Sequence, residues 1–343
     1  MKKVLGVILW VCMIGLIGCS DSKEEGMGKQ AKVEEKMQIG ICFDSFVIER
    51  WQRDRDVFVS TAQELGAEVD VQNASGSAEK QKEQIQYFID QKVDVIVVIP
   101  TDAEKISGVV KEARKEGIKV IAYDRILTDA GADLYISFDN EQVGKLMAEG
   151  LAKKLPKGAE IIMMCGPKTD SNVAYVQKGF EETAQGYGWN IKDIMYVEGW
   201  KPELGYKYLS SSYRYLNDVD AIMCGNDSVA CQVVKYLAEL RKAGEIQVVG
   251  QDAELEACQR IMEGTQLMTV FKDVDKLASM AAEYAIALAK EEEIEVSNTI
   301  SDGTYEVPYI VLEPIAVDKD NMDEIIIDSG FHLKEDVYLN ITQ

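Results

Sequence analysis

From position 38 the chain alternates between short apolar runs and longer amphipathic stretches. In the first half, the apolar runs that we predict to be strands cover 39–43, 68–71, 93–99 and 119–123. Between them, apolar residues recur at helical spacing, as Phe58, Ala62 and Leu65 do between the first two runs. Strands and helices in this repeated order predict right-handed crossovers and a parallel sheet that is covered on both faces.

The same alternation restarts after position 140. Further strand-like runs cover 161–165, 194–197, 221–224, 247–249, 268–271 and 309–317. Helical patterns occur at 142–154, 229–240 and 277–289. The chain is therefore predicted to consist of two similar α/β halves. Additional passages near 269–272 and 306–309 are left unassigned by the pattern.

The stretch from 119 to 140 lies where the two predicted halves meet. Its first apolar run ends at Asp124 and Arg125, so a buried parallel strand would present a carboxylate and a guanidinium at its carboxyl end, where open α/β sheets bind ligands. A second apolar run, 134–138, follows too closely to leave room for a crossover helix. We therefore predict that the chain leaves one sheet for another here, and that a ligand site lies beside this connection.

Polar and charged side chains follow the predicted strands in both halves. They are Asp44, Asp124, Arg125, Glu198, Asn226, Asp227, Gln251, Asp252 and Lys272. A sugar hydroxyl both donates and accepts hydrogen bonds, so carboxylates combined with Arg, Lys or amide donors suit a neutral polyhydroxylated ligand. The flat rings of Trp51 and Trp200 could cover the apolar C–H faces of such a ligand.

These side chains also have ordinary structural interpretations. Asp227 and Asp252 could be helix N-caps. Arg125 could form a weak surface ion pair with Asp124, and Trp51, at the head of an amphipathic helix, could belong to the core. The ligand-site interpretation is favoured because many strand ends, in both halves, carry the same pattern.

Residues 1–18 have the pattern of a bacterial lipoprotein signal peptide. Two lysines precede an apolar segment, 4–17, that is too short for a stable transmembrane helix, and small residues lead to Cys19. The pattern predicts cleavage and lipidation at Cys19 and a flexible spacer, 19–37, rich in Lys, Glu and Gly. The alternative is an uncleaved membrane anchor. Either way, the bulk of the protein is predicted to be extracytoplasmic and anchored to the cell membrane at its N-terminus.

Composition and charge argue against several classes of function. With 343 residues the chain is long enough for two domains, and its apolar and charged fractions are those of a folded soluble protein. A net charge of −22 makes it a poor partner for nucleic acid. No Cys-x-x-Cys motif supports a metal or redox site. We interpret the cysteines beyond Cys19 as small buried side chains, namely Cys42, Cys165, Cys224, Cys231 and Cys258.

The sequence lacks the common catalytic motifs. Its only histidine is His332, for which we expect a surface or packing role, so Ser-His and Cys-His arrangements and histidine metal sites have no support. No nucleotide-binding glycine loop or hydrolase motif opens a helix. A glycosidase with paired carboxylates is an alternative, but we predict a protein that is not an enzyme and needs no metal or cofactor.

Several segments resemble the xylose-binding branch of the periplasmic sugar-binding protein family, in order and with matching spacing from about 38 to 332. They are Glu49-Arg50-Trp51-Gln52, Ala122-Tyr123-Asp124-Arg125, Tyr135-Ile136-Ser137-Phe138-Asp139-Asn140, Gly250-Gln251-Asp252 and Met268-Thr269-Val270-Phe271-Lys272. The resemblance implies a type I periplasmic binding protein, with two Rossmann-like α/β lobes that have parallel sheets and are joined by a three-strand hinge. The N-terminal lobe would comprise 38–138 with about 273–305, and the C-terminal lobe 139–272 with about 306–335.

The resemblance also implies which residues bind the sugar. Arg50, Asp124 and Arg125 would bind it from the first lobe, and Trp51 and Trp200 would sandwich its ring. The second lobe or the hinge would contribute Asp170, Asn172, Asn226, Asp252 and Lys272. The segment 168–172 departs most from the local sequence of the family.

These features predict a lipid-anchored extracytoplasmic receptor for a pentose, D-xylose, that closes around the sugar and delivers it to an ABC transporter permease. The same sugar-binding body could instead present its signal to a membrane histidine kinase, and the sequence of the site does not separate these partners. The effector domain of a repressor would need a DNA-binding helix-turn-helix in the N-terminal region, where the signal and the spacer lie. No nucleic-acid partner is predicted.

Overall fold

The computed structural model describes residues 36–213 and 216–341. Its strands are β1 (Gln38–Phe43), β2 (Glu68–Asn73), β3 (Val95–Val98), β4 (Lys119–Tyr123), β5 (Leu134–Phe138), β6 (Glu160–Cys165), β7 (Asn190–Tyr196), β8 (Ala221–Cys224), β9 (Gln247–Gln251), β10 (Met268–Phe271), β11 (Asn298–Ser301), β12 (Glu306–Leu312) and β13 (Ile315–Val317). Its helices are α1 (Arg50–Glu64), α2 (Ala78–Gln91), α3 (Ser107–Lys115), α4 (Asn140–Ala152), α5 (Ser171–Tyr187), α6 (Glu203–Ser212), α7 (Asp227–Glu239), α8 (Leu255–Glu263), α9 (Val274–Ala289) and α10 (Lys334–Val337). A 3₁₀ turn covers Glu198–Trp200 and a π-helical turn covers Asp323–Ile327.

The N-terminal predictions concern a part of the chain without a described structure. The signal peptide 1–18, the lipidation site Cys19 and nearly all of the spacer 19–37 lie outside the described residues. Within the ranges that the structure does describe, no helix has the length and apolar character needed to cross a membrane.

The strands form two sheets, which confirms the predicted α/β class. The first sheet has the order β11-β12-β5-β4-β3-β1-β2, and the second has the order β13-β10-β9-β8-β6-β7. Pairing is parallel except for β11 with β12 and β10 with β13. All four residues of β3 are buried, as expected for a central parallel strand that helices cover on both faces. The sheets are therefore mixed but predominantly parallel.

One prediction about the sheets is wrong. The run 134–138, which we expected to enter another sheet, is β5, and it pairs in parallel with β4 in the first sheet. The connection 124–133 joins these two parallel strands without a helix. Its own side chains cover the sheet where a crossover helix would otherwise pack. Those that are buried against it are Ile126, Leu127, Ala130 and Ala132. The chain leaves the first sheet one strand later, after Phe138.

The chain passes between the sheets three times. It leaves β5 for α4, which packs against β9 and β10; it leaves β10 for α9, which packs against α1; and it runs from β12 directly into β13. The last passage differs from the predicted boundary near 306, because β12 pairs with β5 in the first sheet and only β13 pairs in the second. The three passages bring both sheets together beside the carboxyl ends of their strands.

Several helices begin with a side chain that caps the first turn. The capping oxygen accepts a hydrogen bond from a backbone amide of that turn and so satisfies one of its unpaired donors. The capping residues are Ser77 of α2, Asp139 of α4, Asp170 of α5, Asn226 of α7 and Asp273 of α9. Two of them, Asp170 and Asn226, are also predicted ligand residues, so the two interpretations of a polar residue after a strand are not exclusive.

Candidate ligand-binding site

Arg50 stands at the start of α1 and reaches across to the second sheet. Its Nη1 lies 3.0 Å from Asp124 Oδ2, at the end of β4, and 4.0 Å from Asp252 Oδ1, which follows β9. Its Nε and Nη2 also donate to Asp54, one helical turn further along α1, at 3.2 and 3.1 Å. Because Arg50 is only 6 % exposed, these three carboxylates balance a buried charge.

Arg125 makes a second bridge between the sheets. Its Nη1 lies 2.6 Å from Asp44 Oδ2 and donates to the carbonyl of Pro100 at 3.0 Å. Its Nε lies 2.7 Å from Asp170 Oδ2, at the cap of α5 in the second sheet's layer. The Arg125 side chain is 3 % exposed, so the alternative of a surface pair with Asp124 is wrong. The guanidinium instead takes a partner from each sheet.

The amide of Asn172, in the first turn of α5, also bridges to the residue that follows β4. Its Nδ2 donates to Asp124, to the backbone oxygen at 3.0 Å and to Oδ1 at 2.9 Å. Next to it, Asp170 accepts from the Asn172 backbone N–H at 3.0 Å and from Trp200 Nε1 at 3.0 Å. On the far side, Lys272 Nζ lies 3.3 Å from Asp252 Oδ1. The predicted polar residues therefore form one connected cluster, apart from Asn226, whose Oδ1 accepts from the Val229 N–H at the start of α7.

The two predicted aromatic walls occupy different positions. Trp200 lines a cavity together with Gly166, Asn172, Gly225 and Gln251. A Cβ atom at Gly166 would lie 2.2 Å from the Trp200 ring, so this close approach requires glycine. Trp51 is 1 % exposed. The guanidinium carbons of Arg50 and Arg125 lie 4.5 and 5.6 Å from its ring centroid, and it belongs to the core as well as to the site.

The charges of the cluster control the ionisation of Asp124. Burial alone raises the pKa of this carboxyl, but the positive charges of Arg50, Lys272 and Arg125 outweigh burial and hold the pKa below its usual value. Conversely, burial tends to lower the pKa of Arg50, and the carboxylates of Asp124 and Asp54 raise it well above its usual value. Both groups are therefore charged at neutral pH.

Four buried polar atoms of the site have neither a hydrogen-bond nor an ion-pair partner within the described ranges 36–213 and 216–341. Buried polar groups in proteins are nearly always paired, so such atoms call for an explanation. Two are donors and two are acceptors, which is the complement that a polyhydroxylated molecule presents. They are Trp51 Nε1, Asn226 Nδ2, Asn172 Oδ1 and Gln251 Oε1.

Backbone strain accompanies the cluster. Asp124, Trp200 and Asp252 have φ values of +64°, +55° and +95°, a region that non-glycine residues rarely occupy. Each such residue costs on the order of 1–3 kcal/mol, and residues of this kind concentrate at ligand sites. These φ values set the directions in which the three side chains leave the backbone.

Neither Asp227 nor Asp252 is a helix N-cap, and their carboxyl groups lie in different surroundings. Asp227, in the first turn of α7, is fully buried and accepts from Gln266 and Thr269 behind the site. Asp252 does not cap α8, whose N-cap is Glu254 and makes no side-chain cap bond. Asp252 faces Arg50 and Lys272 instead, and its role as a ligand residue stays a prediction.

The structure adds residues that the predicted site omitted. Asp44 pairs with Arg125, and Gln251 lines the cavity with an unpaired oxygen among the described residues. Both follow or end a strand, so the strand-end pattern contained them although the family resemblance did not mark them. Asp54 belongs to the cluster too, and its only sequence signal is its position four residues after Arg50 on one helix.

The cysteines take no part in this cluster, apart from Cys165 at the cavity wall. The prediction that the five beyond Cys19 are buried is confirmed, and none forms a disulfide among the described residues. Burial raises the pKa of Cys42 and of Cys165 to about 12, so both remain thiols. No group of three or more metal-ligating side chains occurs in the described part of the chain.

Fold and site together define a two-sheet α/β protein whose buried polar cluster draws residues from both sheets. Its sequence matches the profile of the periplasmic binding protein domain over residues 39–293, and the chain belongs to that family, which consists of substrate-binding proteins rather than enzymes.

Individual sugar-binding proteins are similar to this chain over most of its length. The chain is 40% identical to the D-xylose-binding periplasmic protein of Haemophilus influenzae, over 88% of this chain and 92% of the relative. It is also 40% identical to the D-xylose-binding periplasmic protein of Escherichia coli, over 88% and 93%. Among solved structures, a carbohydrate transporter solute binding protein from Chloroflexus aurantiacus in complex with D-glucose superposes with a TM-score of 0.79 at 27% identity, covering 88% of this chain and 98% of that one. The resemblance noted in the sequence is confirmed.

Proposed function

We propose that this protein is an extracytoplasmic receptor that binds D-xylose between its two sheets and delivers it to an ABC transporter permease. The observation that carries the proposal is the single buried cluster in which Arg50 and Asp124 of the first sheet meet Asn172 and Asp252 of the second. The 40% identity to D-xylose-binding periplasmic proteins supports the choice of sugar.

The charge of the cluster favours a neutral ligand. Its carboxylates outnumber its cations, five to three, so an anionic sugar acid would meet net repulsion. A neutral sugar can use each carboxylate as an acceptor and each cation or amide as a donor. The members of the cluster are Asp44, Asp54, Asp124, Asp170, Asp252, Arg50, Arg125 and Lys272.

Sugar binding would also favour a closed arrangement of two lobes built on the two sheets. The three passages of the chain between the sheets form the hinge, and contacts such as Arg125 with Asp170 cross between the lobes. A ligand that touches both lobes has higher affinity for the closed form and shifts the population toward it. Closure is then the signal that a membrane partner recognises.

The partner we propose is a permease. Lipidation of Cys19 and the spacer 19–37 would hold the receptor at the membrane surface, within reach of such a transporter. The Chloroflexus aurantiacus structure is described as a carbohydrate transporter solute binding protein, which favours transport over signalling through a histidine kinase. Mass spectrometry of the protein purified from membranes would detect the lipidated Cys19 terminus. An unmodified terminus would contradict the anchor alone.

Isothermal titration calorimetry of the purified protein tests the ligand. We expect one-to-one binding of D-xylose, weaker binding of D-ribose and L-arabinose, and none of xylonate. Failure with every pentose and hexose would remove the proposed function. Capture of membrane proteins in the presence of xylose then tests the partner, and recovery of a kinase ectodomain without a permease would replace transport by sensing.

A further inference from the structure

The turn that carries the Asp252 carboxylate is strained over two consecutive residues. Asp252 has a φ of +95° and Ala253 a φ of +52°, and neither is glycine. Such a pair persists only where the surrounding structure holds it. The position of the Asp252 side chain, between Arg50 and Lys272, therefore depends on what fixes this turn.

Hydrogen bonds hold the turn at each residue. The Asp252 N–H donates to Val270 O at 2.9 Å, and the Ala253 N–H donates to Thr269 Oγ1 at 3.1 Å. The Ala253 carbonyl accepts from His332 Nε2 at 2.7 Å. The half-buried ring of His332, for which the sequence predicted a surface or packing role, therefore lies behind the site rather than within it.

Asp227 completes this support from α7. Its Oδ2 accepts from Thr269 Oγ1 at 2.6 Å and from the Glu254 N–H at 3.2 Å. The single hydroxyl proton of Thr269 is used on Asp227, which turns a lone pair of Oγ1 toward the Ala253 N–H. Asp227 thereby orients Thr269 and also binds the residue that follows the turn.

The backbone of β9 is built around the same carboxyl group. A Cβ atom at Gly250 would lie 2.2 Å from Asp227 Oδ1, so a side chain there would displace the carboxyl group. Gln266 Nε2 donates to Asp227 Oδ1 at 2.8 Å and closes the far side. Fully buried and bound on both oxygens, Asp227 has one conformation available to it.

We infer that Asp227 and Thr269 are positioning residues of the sugar site, which fix the Asp252 carboxylate through the strained Asp252–Ala253 turn. The inference rests on the proposed function, since it assigns these residues to sugar affinity. Neither side chain touches the cavity, so each acts on the ligand only through the turn.

The test compares threonine variants that differ in the hydroxyl group. Thr269→Val removes the hydroxyl with little change of shape, and Thr269→Ser retains it. We expect Thr269→Val to weaken D-xylose binding about tenfold, the change that corresponds to one lost buried hydrogen bond. Thr269→Ser should bind nearly as tightly as the unaltered protein. If Thr269→Val does not fold, Thr269→Ala against Thr269→Ser provides the same comparison.

Two controls separate positioning from general destabilisation. Ser107→Ala removes another buried hydroxyl, which donates to Asp129 O at 3.2 Å in the first sheet's layer, and should lower the melting temperature without changing the Kd. In an Asp252→Asn background, Thr269→Val should cost little further affinity, because the two residues act through one turn.

The outcomes distinguish the two proposals. Equal Kd values for Thr269→Val and the unaltered protein would overturn the positioning role and leave sugar binding intact. Additive losses in the double variant would overturn it as well, since Thr269 would then act independently of Asp252. Absence of sugar binding in the unaltered protein would instead overturn the proposed function.

Discussion

The guanidinium of Arg125 lies 2.7 Å from the carboxylate of Asp170, and this contact joins the two sheets at the centre of the site. Asp170 caps α5, so its backbone is held by the second sheet's layer, while Arg125 also lies 2.6 Å from Asp44 at the end of β1. Separation of the sheets would leave the Asp170 carboxylate without its cation, whereas Arg125 would keep Asp44. In the proposed receptor, this contact would couple ligand affinity to closure.

Removal of the Arg125 charge should reduce both affinity and stability. Arg125→Met leaves the carboxylates of Asp44 and Asp170 buried without a cation, which costs about 3–5 kcal/mol of unfolding free energy for a buried pair. We expect at least about a hundredfold loss of D-xylose affinity by calorimetry, because truncation of one partner of a buried charge pair costs about 2–5 kcal/mol in binding. Arg125→Lys should rescue little, since an ammonium cannot make the same fork of contacts.

Arg114→Met provides the control for this substitution. Arg114 pairs with Asp133 at 3.4 Å on the surface, where a third of its side chain is exposed. Such a pair contributes about 0–1 kcal/mol, so stability and D-xylose affinity should both change little. Equal losses in the two variants would contradict a specific role of Arg125.

Gly166→Ala should displace Trp200 from the cavity wall. The new Cβ would lie 2.2 Å from the indole, well inside van der Waals contact, so the ring has to move. We expect about a tenfold loss of D-xylose affinity, comparable to an aromatic contact that is worth about 1.5 kcal/mol, and a change in tryptophan fluorescence. Gly186→Ala is the matched control. That residue is exposed on α5 with nothing near its Cβ position, so alanine there should leave affinity unchanged and stabilise the helix by about 0.5–1 kcal/mol.

Gly144→Ala should destabilise the second sheet's layer. A Cβ atom at Gly144 on α4 would lie 2.0 Å from the carbonyl oxygen of Val176 on α5, and backbone cannot yield as a flexible side chain would. We expect a loss of about 1–3 kcal/mol in urea unfolding, the usual cost of overpacking. Gly108→Ala at an exposed position of α3, with no atom within 4 Å of its Cβ position, should cause no loss. Equal stability of the two variants would contradict the close helix packing.

Asp227→Asn should change how stability depends on pH. Burial raises the pKa of Asp227 to about 8, against the hydrogen bonds from Thr269 and Gln266, which lower it. A carboxyl whose pKa is higher in the folded than in the unfolded protein binds more protons when folded. Its contribution to stability therefore falls as pH rises from about 4 to about 8.

Asparagine retains the shape of this side chain and does not titrate. The melting temperature of Asp227→Asn relative to the unaltered protein should therefore increase between about pH 4 and about pH 8. Burial and the Asp227 charge both raise the pKa of the neighbouring Glu254, so the difference includes the coupling of Glu254 to position 227. A pH-independent difference would contradict the raised pKa.

The order of strands and helices could be predicted because each element leaves a local signal. Buried parallel strands such as β3 and β4 are continuous apolar runs, and the helices between them repeat apolar residues at 3.6-residue spacing. The polar residues of the site were found by the same local rule, since parallel strands end at one edge of their sheet. This rule identifies Asp124 and Asp252 from the sequence alone.

Which residues pair across the site was decided only by the tertiary structure. Adjacent in sequence, Arg125 and Asp124 take different partners, because the turn after β4, with Asp124 at a φ of +64°, points their side chains apart. The Asp227 carboxyl group lies behind the site, where it accepts from Thr269. The adjacent Asn226 instead has an Nδ2 without a hydrogen-bond partner among the described residues. The sheet to which β5 belongs was equally unpredictable, because a loop rather than a helix returns the chain.

The elements, the chemical character of their ends and the family therefore follow from local features of the amino-acid sequence. Hydrophobic periodicity and strand-end polarity are properties of neighbouring residues, so they can be read along one chain. Ion-pair partners, strained turns and sheet membership depend on distances between segments that are far apart in sequence. Only the packing of the two sheets sets those distances, and it makes one buried site from residues that the chain keeps separate.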